Sequence, residues 1–231
     1  MKKAIAKLLM ALTVMMFTVG MSDAQIRIMQ SNGGGNSGGQ QTHQYVDLGL
    51  PSGTLWATCN VGANNPWEYG DSFEWGEITT NLHLHSSLHY KYSNGNSFRL
   101  TKYCTLSSCG NNGFVDNKTL LEFSDDAAYQ NWGSDWCMPM HSDFEELTKL
   151  CNCVFTNQNG QNGYLVTGPN GNSIFLPAKK NMDSGKYWSR SVVEHGPNCA
   201  WCLMFDKWSL RSDLVVERFN GFQVRPVVRR K

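Results

Sequence analysis

Cysteine, histidine and carboxylate side chains are the groups in this 231-residue chain from which chemistry would be built. The cysteines are Cys59, Cys104, Cys109, Cys137, Cys151, Cys153, Cys199 and Cys202. Cys151-Asn152-Cys153 with Cys199-Ala200-Trp201-Cys202 offers four thiolates to a zinc ion. One pair is C-x-C and the other falls where a core strand is expected, so the spacing argues against structural zinc. Cys104 and Cys109 flank Thr-Leu-Ser-Ser and can close that short loop. Small buried hydrophobes with up to two bridges is the preferred reading of the eight. His83, His85 and His89 form an H-x-H with a third histidine, but no acidic second shell accompanies them, and exposed loop histidines are expected. Glu145 and Glu146 are adjacent on a predicted helix, about 100° apart, and do not converge on one substrate atom. The chain has no G-x-S-x-G and no phosphate loop. The glycine-rich run from Gly33 to Gly39 neither follows a strand nor opens a helix. The reading is therefore no catalytic residue, no metal and no cofactor.

Composition and charge narrow the class. Charged residues are 17% of the chain, while Gly (22), Trp (8), Tyr (8) and Phe (11) are plentiful, as suits a β-rich, loop-rich extracellular domain. The net charge of +1 does not suggest nucleic-acid binding, and no nucleic-acid partner is expected. Lys2 and Lys3 precede an apolar stretch from Leu8 to Val19, and Ser22-Asp23-Ala24 carries small residues at the −3 and −1 positions of a cleavage site. Residues 1–24 read as a signal peptide, its apolar core too short to span a bilayer, so export to the periplasm, the cell surface or the medium is expected and no transmembrane segment in the mature chain. Residues 25–44, with SNGGGNSGGQQTHQ at their centre, read as a flexible linker because such residues bury too little apolar area to offset chain entropy. Residues 45–231 are read as one domain.

The elements that must position any site follow from local pattern. Tyr45 to Leu50 and Thr54 to Val61 read as strands around Pro51-Ser52-Gly53. Asp125 to Trp132 reads as a short helix opened by acidic residues. Ser142 to Cys151 reads as a second, with Ser142-Asp143-Phe144-Glu145 as its capping box and Phe144, Leu147, Leu150 and Cys151 on its core face. From Val154 to Leu176 the period becomes two. Asn159-Gly160, Asn162-Gly163 and Asn170-Gly171 read as turns between strands that include Tyr164-Leu165-Val166-Thr167 and Ser173-Ile174-Phe175-Leu176. Trp201, Leu203 and Phe205 alternate onto one face, and Phe222 to Val228 closes the chain as a strand, an edge or an end at Pro226.

Three word-like blocks run through the domain. They are YVDLGLPSGTLWATCNVGA from Tyr45 with YGDSFEWGE from Tyr69, NWGSDWCMPMHSDFEEL from Asn131, and Tyr187-Trp188-Ser189 with Ala200 to Phe205 and GFQVRPV from Gly221. In these words the chain resembles the secreted paralogous-domain family of Bacteroidetes-type bacteria, the Fibrobacter-type major paralogous domain. That family is related to the C-type-lectin-like fold and to formylglycine-generating enzymes. The resemblance implies an α+β, C-type-lectin-like domain with two short helices and a twisted antiparallel sheet. It implies non-enzymatic binding of an extracellular glycan or protein ligand, on a face made of residues between the framework words from Ser189 to Asn220. Carried over by position, that face is Arg190, Glu194, Trp208, Arg211, Asp213, Glu217, Arg218 and Asn220, with Trp208 as stacking anchor and Trp188 and Trp201 in the core. A calcium-dependent sugar site is not implied, because Gly168-Pro169-Asn170 and Gly196-Pro197-Asn198 lack the side-chain oxygen of the lectin triplets. The alternatives are an oxidoreductase of the formylglycine-generating type, using Cys199 and Cys202, and a structural surface or appendage subunit. The chain departs from the family pattern at Cys137, Met140 and Arg190.

Overall fold

A computed structural model describes residues 26–30, 42–80 and 85–230. The expected signal peptide, the glycine-rich centre of the expected linker and His83 lie outside the described residues. The strands are β1 (Ile26–Gln30), β2 (Thr42–Asp47), β3 (Leu55–Ala57), β4 (Asn152–Gln158), β5 (Gln161–Thr167), β6 (Ser173–Pro177), β7 (Gly185–Val192), β8 (Cys199–Phe205), β9 (Leu210–Glu217) and β10 (Val227–Val228). The α-helices are α1 (Ala127–Trp132) and α2 (His141–Leu150). The strands form three antiparallel sheets, ordered β1-β2-β3-β10, β4-β5-β6 and β7-β8-β9.

This corrects the expected α+β, C-type-lectin-like domain built on one twisted sheet. The described domain is β-rich, its helices only six and ten residues long. The physical cause of the division lies in the closing segment. Pro226 has no N–H to give a ladder, and the predicted strand from Phe222 to Val228 is broken accordingly. Phe222 bridges Phe73, Gln223 bridges Tyr187, and only Val227 and Val228 pair with β3. The carbonyl of Pro226 still accepts from the Ala57 N–H at 2.9 Å. This segment is a seam between sheets.

Local signals act where they need no distant partner. Asn159 (φ 49°) and Gly160 (φ 83°) make the β4–β5 turn in the left-handed region, where Asn and Gly are least strained. Asn162-Gly163, expected as a turn, instead lies inside β5. A Cβ on Gly163 would stand 2.3 Å from the Leu176 carbonyl, so this glycine permits close strand approach. Asp126 caps α1 by accepting from Ala128 N and Tyr129 N. Helix α2 starts one residue before the expected box, and its end is held by Asp143, which accepts from Met140 N at 2.6 Å. Phe144 and Leu147 are buried as expected, while Leu150 is 47% exposed because the helix ends there and the chain turns into β4. Strand β1 occupies the start of the segment read as a linker, pairing Ile26 through Gln30 with β2.

Two apolar cores result. One gathers Trp75, Tyr103, Trp136 and Trp188 beneath the loops that follow β3. The other gathers Trp56, Phe144, Leu147, Tyr187, Leu203 and Phe205 between α2 and the two three-stranded sheets. The framework words supply the polar stitches between them. Trp75 Nε1 donates to the Ser189 carbonyl at 2.8 Å, Trp188 Nε1 to the Phe73 carbonyl at 2.9 Å, and the Tyr187 hydroxyl to the Pro177 carbonyl at 2.7 Å. Buried polar groups of this kind are tolerable only when paired, so the words carry both area and register.

Candidate functional site

Strand β8 alternates strictly, and its three large residues share a face as the period predicts. Leu203 and Phe205 enter the core with Phe144 and Leu147. Trp201, at the far end of that face, lies beyond the apolar cover of α2 and is half-buried. It stacks on the imidazole of His141, the first residue of α2, with ring centroids 4.0 Å apart and planes 9° from parallel. His141 is locked from both ends. Its backbone N–H donates to the Ser191 hydroxyl at 3.1 Å, and its Nε2 lies 3.0 Å from the Ser212 carbonyl. A carbonyl only accepts, so Nε2 carries the hydrogen.

Beside this pair the segment around Leu120 runs along β7. Val192 N donates to the Thr119 carbonyl at 2.9 Å, and Leu121 N to the Arg190 carbonyl at 3.0 Å. A groove of roughly 490 Å³ lies between this segment, the start of α2 and the β7–β8 loop. Leu120, Met140, Val192 and Trp201 make it apolar, while exposed Thr119, Ser142, Glu194 and His195 line it with polar groups. Such a mix, an apolar and aromatic surface with a few polar groups, suits a ligand with both kinds of surface. A smaller cavity of roughly 210 Å³ lies against His43, which stacks on Trp132 at 3.7 Å, and burial pushes that imidazole below its ordinary value.

The eight residues expected on the binding face separate. Trp208 is 81% exposed at the β8–β9 turn, with the Lys207 ammonium 4.7 Å from its ring centroid. Arg211 and Asp213 form an exposed pair on β9 at 3.0 Å, and hydrogen bonding from that guanidinium holds the Asp213 carboxyl below the usual range. Glu194 is exposed beside the groove. Glu217 and Asn220 are half-buried, with Asn220 Nδ2 donating to the Glu217 carbonyl at 2.9 Å.

Arg190 and Arg218 are corrected from ligand face to interior. Arg218 is 1% exposed, lies 5.2 Å from the Trp75 ring and 5.5 Å from the Tyr90 ring, and donates to the carbonyls of Lys102 and Tyr103. Arg190 packs over Phe123 at 4.8 Å, donates to the Leu121 carbonyl and comes within 3.9 Å of Asp126. Each guanidinium trades solvent for ring faces and backbone carbonyls, a use its flat shape permits. Trp188 is core as expected, and Trp201 is not. The only sequence signal for Trp201 was its place at the end of an alternating run.

Cys199 and Cys202 stand three residues apart on β8, so their side chains leave opposite faces. Burial pushes the Cys202 thiol up to about 12 and raises that of Cys199 as well, which leaves little nucleophilic thiolate at neutral pH. All eight cysteines are unbonded in this structure.

Near Arg218, Asp125 accepts from Lys102 Nζ at 2.5 Å, from the Tyr103 hydroxyl at 2.6 Å and from Lys91 Nζ at 3.1 Å. Burial alone would raise its carboxyl, but these hydrogen bonds hold it well below the usual carboxylate range. A carboxyl depressed by folding adds stability above its ordinary value of 3.8, and that stability is lost as pH falls further. Asp125→Asn therefore lowers the urea midpoint at neutral pH, and its deficit against wild type shrinks as pH drops from about 5 towards 2. An equal deficit at both ends of that range would show that the ionised carboxyl is not what stabilises the cluster.

Among the described residues no helix is long and apolar enough to cross a membrane. Compared with protein-family models, with curated proteins and with solved structures, the chain matches none.

Proposed function

We propose that this is an exported, non-enzymatic binding protein that holds an extracellular glycan in the groove at His141 and Trp201. The observation that carries the reading is the parallel aromatic pair beside an apolar groove with hydroxyl, carboxylate and imidazole groups at its edge. A sugar ring offers an apolar C–H face to aromatic surface and hydroxyls to its edge, and this groove supplies partners for both. The pair is held in place before any ligand arrives, which lowers the ordering cost of binding. The separation and raised thiols of Cys199 and Cys202 weigh against the oxidoreductase alternative.

A glycan and peptide array probed with the exported domain tests the proposal. A glycan is expected to bind, and His141→Ala should weaken it at least tenfold, about 1.4 kcal/mol, with little change in melting temperature. Trp208→Ala should leave it unchanged. The reverse pattern, affinity lost with Trp208 and kept without His141, would move the site to the β8–β9 turn. Binding of peptides alone would remove the glycan reading.

A further inference from the structure

Two thiols, Cys104 and Cys109, are absent from the lining of the groove. Cys104 and Cys109 pack with Leu100 into a small apolar cluster of their own, apart from both main cores. Cys104 is fully buried and Cys109 is 6% exposed, whereas Ser107 and Ser108 between them are exposed. The intervening chain folds back on itself, with Cys109 N donating to the Leu106 carbonyl at 2.9 Å.

Both ends of this loop are fixed. Tyr103 sits at φ 56°, a conformation unfavourable for a bulky residue. It is held there by the Asp116 carboxylate, which accepts from Tyr103 N and Cys104 N, both at 2.8 Å. The Tyr103 carbonyl accepts from Arg218, and its hydroxyl donates to Asp125. At the other end Leu100 N donates to the Cys109 carbonyl at 2.9 Å, and Asn111 N to the Leu100 carbonyl at 2.8 Å. The backbone thus presents two thiols to one apolar cluster from anchored positions. Burial, with Cys109 nearby as a smaller cause, raises the Cys104 thiol, which keeps it protonated and slow to react with other reagents.

We propose that Cys104 and Cys109 are a redox pair and that the structure is its dithiol form. A small-molecule or protein disulfide of the exported compartment is the oxidant. One thiolate, Cys109 as the more accessible, attacks a sulfur of that disulfide and expels one reduced thiol, leaving a mixed disulfide. Cys104, after giving up its proton, attacks the Cys109 sulfur and expels the second. Two protein thiols are oxidised to one disulfide, and one reagent disulfide is reduced to two thiols. The loop so closed reaches the groove, because the Thr105 hydroxyl donates to the Glu194 carbonyl. Oxidation therefore stiffens a contact at the groove edge. The inference stands without the glycan reading, since it rests on a different cluster.

The test uses the full mature chain, treated with oxidised glutathione and then with reduced glutathione. Free thiols are blocked with an alkylating reagent under denaturing conditions, and the digest is mapped by mass spectrometry. The expected result is a Cys104–Cys109 cross-link, missing two hydrogens, that forms under oxidation and is lost on reduction. Hydrogen exchange of the amides from Thr105 to Ser108 should slow on oxidation in wild type and stay unchanged in C104S/C109S. Alkylation of both thiols after oxidation would overturn the proposal. So would a cross-link from Cys109 to Cys199 on β8. Because the mapping is done on wild type, failure of a variant to fold does not blur the answer.

Discussion

Arg225→Met lowers the stability of the domain by about 3–5 kcal/mol, because three buried acceptors lose their donor, each at the lower part of the roughly 1–3 kcal/mol range. Arg225 is fully buried and meets no carboxylate among the hydrogen bonds it makes. Its Nε donates to Asn60 Oδ1 at 2.8 Å, one terminal nitrogen to the Ala57 carbonyl at 3.1 Å, and the other to the Phe175 carbonyl at 2.8 Å. These partners belong to the end of β3, the loop after it and β6, so one guanidinium ties the first sheet to the second. Methionine fills much of the volume and supplies no donor, which isolates the polar loss from a cavity. Arg225→Lys should recover little, since an ammonium cannot span three acceptors fixed by a planar fork. Urea unfolding gives the measurement, with the midpoint shifted and the slope unchanged. A loss below about 1 kcal/mol, no more than one ordinary hydrogen bond, would mean that water or a shifted neighbour satisfies the acceptors.

Asp126→Ala should lower the melting temperature by roughly 6–12 °C, the equivalent of about 3 kcal/mol in a domain of this size. The carboxylate is completely buried. It accepts from Ala128 N at 3.0 Å and Tyr129 N at 3.1 Å, and both its oxygens accept from Met138 N, at 3.0 and 2.9 Å. It thus caps α1 and also pins the strand-like segment that leads into α2, so the variant loses a helix cap and leaves three N–H groups without a partner. Burial raises the pKa of this carboxyl, so the bonds rather than the charge are the main gain. Asp126→Asn keeps one acceptor oxygen and should recover a good part of the loss. If Asn is as damaging as Ala, the charge beside Arg190 is the larger effect and the cap the smaller.

The sequence by itself determined those features whose physics is local. Asn159-Gly160 turns a hairpin because both residues tolerate positive φ. Phe144 and Leu147 face a core because their spacing matches a helical turn, and Trp201, Leu203 and Phe205 share a face because a strand alternates. The acidic residues at the start of α1 were legible as favourable to its dipole, and the structure makes one of them, Asp126, the cap. Tertiary structure decided what depends on a partner far along the chain. Arg218 and Arg225 look equally polar in sequence to Arg211, yet Arg211 is exposed while the other two are buried. Their acceptors lie 115 and 165 residues away, at Tyr103 and Asn60, and no local pattern records that distance. The division into three sheets was likewise hidden, because Pro226 announces a break but not that its neighbours will pair with four different segments, at Phe73, Tyr187, Cys137 and β3. Trp201 became part of a groove only because α2 begins at His141 and its apolar face ends there. Periodicity assigns a side chain to a face, and what covers that face is set by where the neighbouring element stops.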